Sequence, residues 1–272
     1  MDAGVLSANL SEEVRRNLAG TAELDMVWHC QSDARFHYLI HIPACYYEET
    51  QPVFPLVVIV HGTGRDNTGY WIKAREFADQ NHFALMAPVF PGGLFETMDL
   101  DSYKLLNCGG IRYDLILLNM IEEMGRRFPG IETEKFCMFG FSGGAQFVNR
   151  FLFAHPERVK AASIGAPGRP TYLDFEKDYF WGVRDFRKHF DKDLDLEEVR
   201  KVPVELMVGD QHTLYIGESP YGTNRIQRIC HLKENLESHG IRVFLDILPG
   251  LDHVSGRDVK ITYAIQFFLP YL

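Results

Sequence analysis

The stretch GFSGG at residues 140–144 decides the fold of this chain. It lies where an apolar, strand-like run (Lys135–Phe141) meets a helix-like run that begins at Ala145. In a G-x-S-x-G turn between a strand and a helix, the chain bends so sharply that the serine adopts strained backbone angles. The flanking glycines are needed because a Cβ at either position would strike the neighbouring strand or helix. The pattern predicts that Ser142 is an exposed nucleophile on a rigid turn.

Two further segments support this interpretation of Ser142. The aliphatic run Leu56–Val60 is typical of a buried parallel strand, and it leads into the turn HGTG at residues 61–64. A glycine-rich turn in this position can direct backbone N–H groups at an oxyanion. Near the C-terminal end, the strand-like run Val243–Leu248 is followed by a loop that carries His253. These three parts occur in the chain order expected of an α/β-hydrolase.

The composition indicates one large domain without a nucleic-acid or membrane partner. With 272 residues and 46 % hydrophobic content, the chain can bury a parallel sheet that helices cover on both faces. The net charge of −9 and the absence of a Lys/Arg run disfavour binding to a phosphate backbone. No apolar run approaches the length of a bilayer span, and the charged, helix-like opening SEEVRR at residues 11–16 is unlike a signal peptide. We therefore expect a soluble cytoplasmic protein.

The cysteines indicate neither a disulfide framework nor a zinc site. They are odd in number and scattered, with no CxxC pair: Cys30, Cys45, Cys108, Cys137 and Cys230. Cys137 lies inside the strand that precedes the serine turn, where a buried free thiol is the expected state.

Apolar periodicity predicts an α/β fold in which strands and helices alternate, as a parallel sheet requires. The predicted strands are Met26–Cys30, Phe36–Ile42, Leu56–Val60, Ala84–Pro88, Lys135–Phe141, Val159–Ile164, Val204–Val208 and Val243–Leu248. The predicted helices are Tyr70–Gln80, Tyr113–Phe128, Ala145–Ala154 and Asn224–Ser238. The first two strands carry alternating apolar residues and are expected to form an antiparallel pair at the edge of the sheet.

Five stretches carry a resemblance to a known family: His61–Asp66, Arg112–Leu115, Phe139–Gly144, Ser163–Gly168 and Pro249–His253. In these stretches the chain resembles the α/β-hydrolase superfamily, and within it the esterase and polyhydroxybutyrate-depolymerase-like group. The resemblance implies a single α/β-hydrolase domain over residues 1–272, with a small cap insertion at about residues 168–201. It implies a mostly parallel eight-stranded sheet with helices on both faces, and it implies no metal or organic cofactor.

The same resemblance assigns roles at the site. Ser142 is the nucleophile and His253 is the general base and acid, while the N–H groups of Thr63 and Gly143 form the oxyanion hole. His61 is expected to pack beneath the oxyanion loop and to fix it rather than to react.

The third member of the expected triad is missing. In this family an acid usually stands three residues past the glycine that follows the strand matching Val204–Val208, but after Gly209 that position holds His212. A carboxylate there keeps the imidazole in the correct tautomer and stabilises imidazolium, and its loss costs about four orders of magnitude in kcat. His212 itself is either a pocket-lining histidine that contacts substrate or a solvated turn residue.

Three aspartates are candidate substitutes for the missing acid, and their positions rank them. Asp210 lies on the same turn and is the first choice for the catalytic acid. Asp174 follows the preceding strand and is the second. Asp252 is adjacent to His253, and because neighbouring side chains on a loop usually diverge, it is expected to shape the loop instead.

The interval of residues 168–201 breaks the alternation of strands and helices. Its aromatic residues are interleaved with charges: Tyr172, Phe175, Tyr179, Phe180, Trp181 and Phe186. Hydrolases of this fold insert a cap over the site at this point, so Phe180 and Trp181, together with Trp71, are predicted to wall an apolar substrate pocket. The alternative is that these aromatic residues anchor an irregular loop to the domain, and that Trp71 belongs to a helix core.

The leading functional hypothesis is hydrolysis of an ester, thioester or amide of a small to medium, mainly apolar molecule, through an acyl-enzyme on Ser142. Because the usual acid is replaced, proton-transfer chemistry such as cyclisation, condensation, dehydration or decarboxylation in specialised metabolism is the alternative. A third hypothesis is a non-catalytic binding protein. In each case the expected partner is a small molecule, and the sequence is compatible with a homodimer.

Overall fold

The computed structural model describes residues 26–47 and 53–272, so the helix-like opening at residues 11–16 lies outside the described residues. The strands within them are β1 (Met26–His29), β2 (His37–His41), β3 (Leu56–Val60), β4 (Ala84–Val89), β5 (Asn107–Cys108), β6 (Ile111–Arg112), β7 (Phe136–Phe141), β8 (Val159–Gly165), β9 (Val204–Gly209) and β10 (Val243–Leu248). The helices are α1 (Thr68–Asn81), α2 (Tyr113–Arg127), α3 (Gly143–Ala154), α4 (Phe186–Phe190), α5 (Leu196–Lys201), α6 (Arg225–Ser238) and α7 (Arg257–Phe268). Every predicted element recurs, with ends shifted by at most two residues.

Eight of these strands form one sheet in the order β1-β2-β4-β3-β7-β8-β9-β10. Strand β2 pairs antiparallel with β1 and with β4. The remaining pairings in the sheet are parallel. The mostly parallel eight-stranded sheet and the antiparallel pair at its edge are therefore confirmed. The short strands β5 and β6 pair with each other in a separate ribbon.

Helices cover both faces of this sheet, as ring contacts to β7 demonstrate. Phe136 meets Phe151 of α3 with ring centroids 6.0 Å apart. Phe139 meets Tyr70 of α1 with centroids 5.1 Å apart. Odd and even residues of a strand point to opposite faces, so α3 and α1 lie on opposite sides of the sheet. All residues of β3 and β7 are buried, which explains why these strands have continuous rather than alternating apolar sequences.

Helix α7 has no counterpart among the predicted elements. Its buried apolar residues Ile261, Ala264, Ile265 and Phe268 follow the i, i+3, i+4, i+7 spacing of an amphipathic helix, so the signal was present in the sequence. The helix also buries Lys260. None of the helices in the described ranges has the length and apolar composition needed to span a bilayer.

The segment of residues 168–201 is anchored to the domain by its aromatic side chains. The Tyr172 ring stacks on Tyr221 with centroids 3.6 Å apart. The Tyr179 hydroxyl donates to the carbonyl oxygen of Leu105 at 2.6 Å. The short helices α4 and α5 complete the segment. These contacts favour the interpretation in which the aromatic residues hold an irregular loop in place.

The cysteines are free thiols, as the sequence indicates. Cys137 in β7 is fully buried, and burial raises the pKa of its thiol to about 12. This side chain is therefore a neutral core residue rather than a reactive thiolate.

A buried carboxyl group stands between β8, β9 and β10. Glu205 of β9 pairs in register with Ser163 of β8, and the Ser163 hydroxyl donates a hydrogen bond to its carboxyl. Glu205 is 2 % exposed, and burial is the main cause that raises its pKa to about 8. Burial also raises the pKa of Asp246 on the neighbouring strand β10. Glu205 is therefore protonated near neutral pH in the folded protein but ionised in the unfolded chain.

The raised pKa of Glu205 predicts that the stability of the protein depends on pH. A pKa that is raised in the folded state lowers the free energy of unfolding as pH rises from about 4.5 to about 8. We expect Glu205→Gln, a neutral isostere, to reduce this loss by at least about 1 kcal/mol. Urea unfolding on both sides of this window measures it, with Glu234→Gln on the exposed face of α6 as the control. Equal pH slopes for Glu205→Gln and the parent protein would contradict the assignment.

Candidate active site

Ser142 lies on the strained turn that the sequence predicts between β7 and α3. Its φ of 57° and ψ of −112° place it outside the favoured regions for a non-glycine residue. A Cβ on Gly140 would lie 2.3 Å from the backbone of Gly144, and a Cβ on Gly144 would lie 2.2 Å from the carbonyl oxygen of Val60. The Ser142 N–H donates to the carbonyl oxygen of Gly165 in β8 at 2.8 Å. Close packing on three sides therefore holds the serine in this conformation.

His253 is hydrogen-bonded to the serine. Ser142 Oγ and His253 Nε2 are 2.9 Å apart. The loop that carries His253 is held by Lys260 of α7, whose Nζ donates to the carbonyl oxygens of Asp252 at 2.9 Å and of His253 at 3.3 Å. The Asp252 carboxylate accepts the N–H groups of residues 254 and 255, so it shapes the loop, as its position in the sequence indicates.

The backbone N–H groups of Thr63 and Gly143 lie close together beside the serine. The position that a Cβ on Gly143 would take is 2.9 Å from Thr63 N. Gly143 is the first residue of α3, where a backbone N–H has no acceptor within the helix. Thr63 and Ser142 line the same cavity, so both backbone donors lie where the sequence predicts an oxyanion hole. The structure thus brings together four of the predicted site residues.

The oxyanion loop is fixed by His61 and Arg65. His61 Nε2 accepts the Phe90 N–H at 3.0 Å, so its Nδ1 carries the proton and donates to the carbonyl oxygen of Gly62 at 2.9 Å. Burial lowers the pKa of His61 to about 4, which keeps the ring neutral. Arg65 donates to the carbonyl oxygen of Thr63 at 2.5 Å. His61 therefore has the structural role that the sequence indicates.

His212 occupies the position in which a carboxylate is expected. Its Nε2 lies 3.1 Å from His253 Nδ1, and its Nδ1 lies 3.1 Å from the carbonyl oxygen of Gly209. The side chain is 4 % exposed. The two alternatives for His212, a pocket-lining residue and a solvated turn residue, are both wrong. Its ring is buried against Nδ1 of His253, whereas Ser142 contacts Nε2.

The hydrogen bonds of His212 fix the tautomers of both histidines. A carbonyl oxygen only accepts, so His212 Nδ1 carries the proton and donates to Gly209. His212 Nε2 is then an acceptor, and His253 Nδ1 donates to it. His253 Nε2 is left with a lone pair that accepts the Ser142 hydroxyl proton. A neutral imidazole therefore performs the orienting task of the missing acid without supplying its charge.

Asp210, the predicted catalytic acid, does not contact His253. Its Oδ1 accepts the Gly250 N–H at 2.8 Å and the Gln211 side-chain amide at 2.9 Å. These bonds tie the turn after β9 to the turn after β10, so the carboxylate points away from the imidazole. The second candidate, Asp174, accepts from Lys177 and from Tyr221 at 2.9 and 2.8 Å and belongs to the anchored segment. Both candidates are excluded as partners of His253 in this structure.

The electrostatic surroundings disfavour a charged imidazole at His253. Burial is the main cause that lowers its pKa to about 3, and the charge of Arg225 is the next cause. Burial likewise lowers the pKa of His212 to about 4. Lys260 is fully buried, and burial lowers its pKa to about 8. Both imidazoles are therefore neutral at pH 7, and the charges of Arg225 and Lys260 lower the pKa of each.

A cavity of about 190 Å³ opens beside Ser142 and His253. Its walls include the 62–64 turn and the side chains of Tyr70, Phe141 and Val254. The ion pair between Arg257 and Asp66, 2.7 Å apart, also borders it. Tyr70, Val254 and Arg257 could not be predicted as pocket residues, because only the three-dimensional fold brings their helices and loops to Ser142.

Trp71 does not belong to this cavity. It is 3 % exposed and lines a separate cavity with Leu39, Asn67 and Ile72. Tyr70, its neighbour on α1, borders the cavity at Ser142 instead, because successive helix residues point about 100° apart. The prediction that Trp71 walls the substrate pocket is wrong.

Phe180 and Trp181 are also absent from the walls of the cavity at Ser142. The Phe180 ring lies under the guanidinium groups of Arg150 and Arg169 at 5.4 and 5.5 Å. The Trp181 ring lies under Arg228 at 5.5 Å. The prediction that these rings wall the pocket is wrong, because they stack on cations that hold the 168–201 segment. Within the described ranges, no three His, Cys, Asp or Glu side chains are grouped so that they can ligate a metal ion.

Comparison with known proteins extends the description of the fold. No protein-family model and no curated protein matches this sequence. Among solved structures, poly(aspartic acid) hydrolase-1 from Sphingomonas sp. KT-1 superposes with a TM-score of 0.70 at 16 % identity, over 90 % of this chain and 97 % of its own. A poly(3-hydroxybutyrate) depolymerase from Bordetella parapertussis superposes with a TM-score of 0.69 at 22 % identity, over 90 % and 89 %. The chain has the α/β-hydrolase fold.

A third neighbour with this fold is an S-formylglutathione hydrolase from Agrobacterium tumefaciens, with a TM-score of 0.63 at 16 % identity over 90 % of this chain and 94 % of its own. The α/β-hydrolase fold, expected from the resemblance in five short stretches, is thus confirmed.

The histidine pair predicts a characteristic response to substitution of His212. His212→Gln and His212→Glu have similar reach, but only the glutamate places a negative charge beside His253 Nδ1. We expect His212→Glu to raise the pKa of His253 and to move the acid limb of kcat/KM upward in pH, because an adjacent carboxylate favours imidazolium. His212→Ala should lower kcat/KM roughly tenfold to a hundredfold, less than loss of a carboxylate, because only orientation is lost.

The measurement is kcat/KM against pH from about 4 to 8 for the three variants and the parent protein. His212→Gln serves as the matched control for size. Identical pH profiles for His212→Glu and His212→Gln would contradict the contact between residue 212 and His253.

Proposed function

We propose that the protein is a serine hydrolase that cleaves esters through an acyl-enzyme on Ser142. The observation that carries this proposal is the 2.9 Å hydrogen bond between Ser142 Oγ and His253 Nε2 on a strained turn. The adjacent N–H groups of Thr63 and Gly143 add the donors that an oxyanion requires. The fold neighbours that are named as hydrolases and as a depolymerase support the same reaction type.

Acylation begins with attack of Ser142 Oγ on the carbonyl carbon of the ester. The serine proton passes to His253 Nε2, and the carbonyl oxygen becomes an oxyanion that accepts from Thr63 and Gly143. His253 Nδ1 keeps its proton and donates it in a hydrogen bond to His212. The tetrahedral intermediate collapses when the bond to the leaving oxygen breaks and His253 Nε2 donates its proton to that oxygen.

Deacylation repeats these steps with water as the nucleophile. His253 Nε2 accepts a proton from the water as its oxygen attacks the acyl carbon. The second tetrahedral intermediate then releases the carboxylic acid, and the proton on His253 returns to Ser142 Oγ. His253 is charged only in the tetrahedral intermediates, and the histidine pair is neutral again after acylation and after deacylation, which agrees with its low pKa values.

The low pKa of His253 bears on the substrate class. A weakly basic imidazole removes the serine proton reluctantly but, once protonated, donates it readily to a leaving group. Reactive carbonyl compounds suit such a base, so an ester or thioester is favoured over an amide. The walls formed by Tyr70, Phe141 and Val254 fit a small to medium, mainly apolar group.

The histidine at position 212 also favours a second candidate function. Without a carboxylate behind it, His253 is a neutral proton carrier in a largely buried site, and such a group suits proton-transfer reactions such as cyclisation, condensation, dehydration or decarboxylation. This alternative requires the fold and His253 but forms no acyl-enzyme. It therefore predicts that Ser142 is not acylated by any ester.

Labelling with a fluorophosphonate separates the two functions. We expect one adduct by intact mass, since the hydrogen bond to His253 activates Ser142 for attack at phosphorus. The adduct should be absent in Ser142→Ala and strongly slowed in His253→Ala. Ser238→Ala, which removes an exposed serine of α6, is the matched control and should be labelled like the parent protein.

Absence of an adduct under conditions that label a known serine esterase would contradict the acyl-enzyme route. The proton-transfer alternative would then be preferred if a carbonyl substrate is converted without a burst, and a ligand recovered unchanged would favour a binding protein.

A further inference from the structure

Arg225, the first residue of α6, is a partly buried cation. Its Nε is buried without a hydrogen bond, and among residues 26–47 and 53–272 its guanidinium makes no hydrogen bond or ion pair. Other inward-facing arginines behave differently. Arg112 forms two hydrogen bonds with the Asp114 carboxylate, and Arg150 donates to Thr171 and to two carbonyl oxygens. Partial burial of a charge without a counter-charge costs free energy, so an anionic ligand at Arg225 would be stabilising.

The Arg225 guanidinium approaches Gly168 and the side chain of Gln146. Its Nη2 lies 3.9 Å from the position that a Cβ on Gly168 would take, and the Gln146 side-chain nitrogen lies 3.7 Å from the same position. Gln146 stands one helical turn after the nucleophile, and its N–H donates to the carbonyl oxygen of Ser142 at 3.3 Å. Two N–H donor groups thus approach the same point beside Gly168, which carries no side chain.

Arg225 also acts electrostatically on the catalytic histidine. Burial is the main cause of the low pKa of His253, and the Arg225 charge is the largest cause after it. An anion bound at Arg225 would cancel this charge and make His253 a better base. A charge at or next to Arg225 therefore affects the basicity of His253.

No carboxylate of the described residues compensates this cation. The acid position of the triad holds His212, and burial and the charge of Arg228 are what lower the pKa of Arg225, with no carboxylate contributing. Four aspartates have other partners: Asp66 with Arg257, Asp174 with Lys177 and Tyr221, Asp210 with Gly250, and Asp252 with its own loop. The whole chain has a net charge of −9, so its long-range field repels anions. The positive charge at Arg225 is thus a local feature of the site.

We propose that Arg225, with the side-chain amide of Gln146, binds a carboxylate group of the substrate. A planar carboxylate matches the fork of a guanidinium and can also accept from an amide. The preferred substrates are then esters that carry one carboxylate in addition to the reacting carbonyl and an apolar remainder. This inference rests on the hydrolase function proposed above and names its substrate class.

Two pairs of esters test the proposal with the carboxylate on either side of the reacting bond. One pair is 4-nitrophenyl hydrogen glutarate and its neutral methyl ester, with release of nitrophenol as the signal. The other is 4-acetoxybenzoate and its methyl ester, with release of the phenol as the signal. The quantity of interest is the ratio of kcat/KM for the anionic ester to that for the neutral one, because intrinsic reactivity cancels when variants are compared.

We expect Arg225→Gln to lower this ratio about tenfold to a hundredfold in at least one pair, as loss of a hydrogen-bonded charge pair does. Arg225→Lys should retain part of the preference because it keeps the charge. Arg126→Gln, which removes an exposed arginine of α2, controls for the change in net charge and should leave the ratio unaltered. Unchanged ratios in both pairs for a folded Arg225→Gln protein would overturn the proposal.

A binding measurement separates failure of this inference from failure of the hydrolase function. Glutarate should raise the melting temperature of the parent protein above that in sodium chloride of equal ionic strength, and Arg225→Gln should abolish the difference. If no ester is cleaved and Ser142 is not labelled, the hydrolase function fails, and the glutarate shift alone decides whether the anion site exists. Equal shifts in the parent protein and in Arg225→Gln, or no shift in either, would overturn the site.

Discussion

The conformation of Ser142 is the constraint on which the rest of the site depends. A φ of 57° is unfavourable for serine, and the turn persists because its surroundings leave no alternative. Gly144 packs so closely on the end of β3 that a Cβ would lie 2.2 Å from the Val60 carbonyl oxygen. The same contact brings the loop after β3, with Thr63, against the start of α3. Strain at one residue thus positions the nucleophile and both backbone donors together.

The candidate site differs from a Ser-His-acid triad in the position of its charged groups. A neutral histidine stands where a carboxylate is expected, and the neighbouring ionised groups include the cations Arg225 and Lys260. A carboxylate would raise the basicity of His253, whereas these cations lower it. The carbonyl oxygen of Gly209 sets the tautomer of His212, and through it that of His253. His212 therefore still orients His253, but it supplies no negative charge that would stabilise the imidazolium form of His253.

The sequence predicts the fold and half of the site for identifiable physical reasons. Ser142 and the turn at residues 61–64 could be predicted because glycines follow continuous apolar strands at a characteristic spacing. Such a pattern is local and does not depend on distant parts of the chain. The partner of His253 could not be predicted, because Asp210 and His212 are two residues apart on one turn and the hydrogen bond from Gly250 decides which side chain faces inward. The prediction for Trp71 is wrong for a similar reason, because adjacent residues of a helix point in different directions and can border different cavities. Arg225 has no local signal in the sequence, because the absence of a counter-charge among residues 26–47 and 53–272 is a property of the tertiary structure.

The proposed catalytic relay to Ser142 consists of two neutral histidines with defined tautomers. Nitrogen-15 NMR of histidine-labelled protein near neutral pH tests it most directly, with His212→Gln and His253→Gln used for assignment. The structure predicts that His212 and His253 are both neutral and that each carries its proton on Nδ1. A protonated imidazolium at His253, or a proton on its Nε2, would contradict the account.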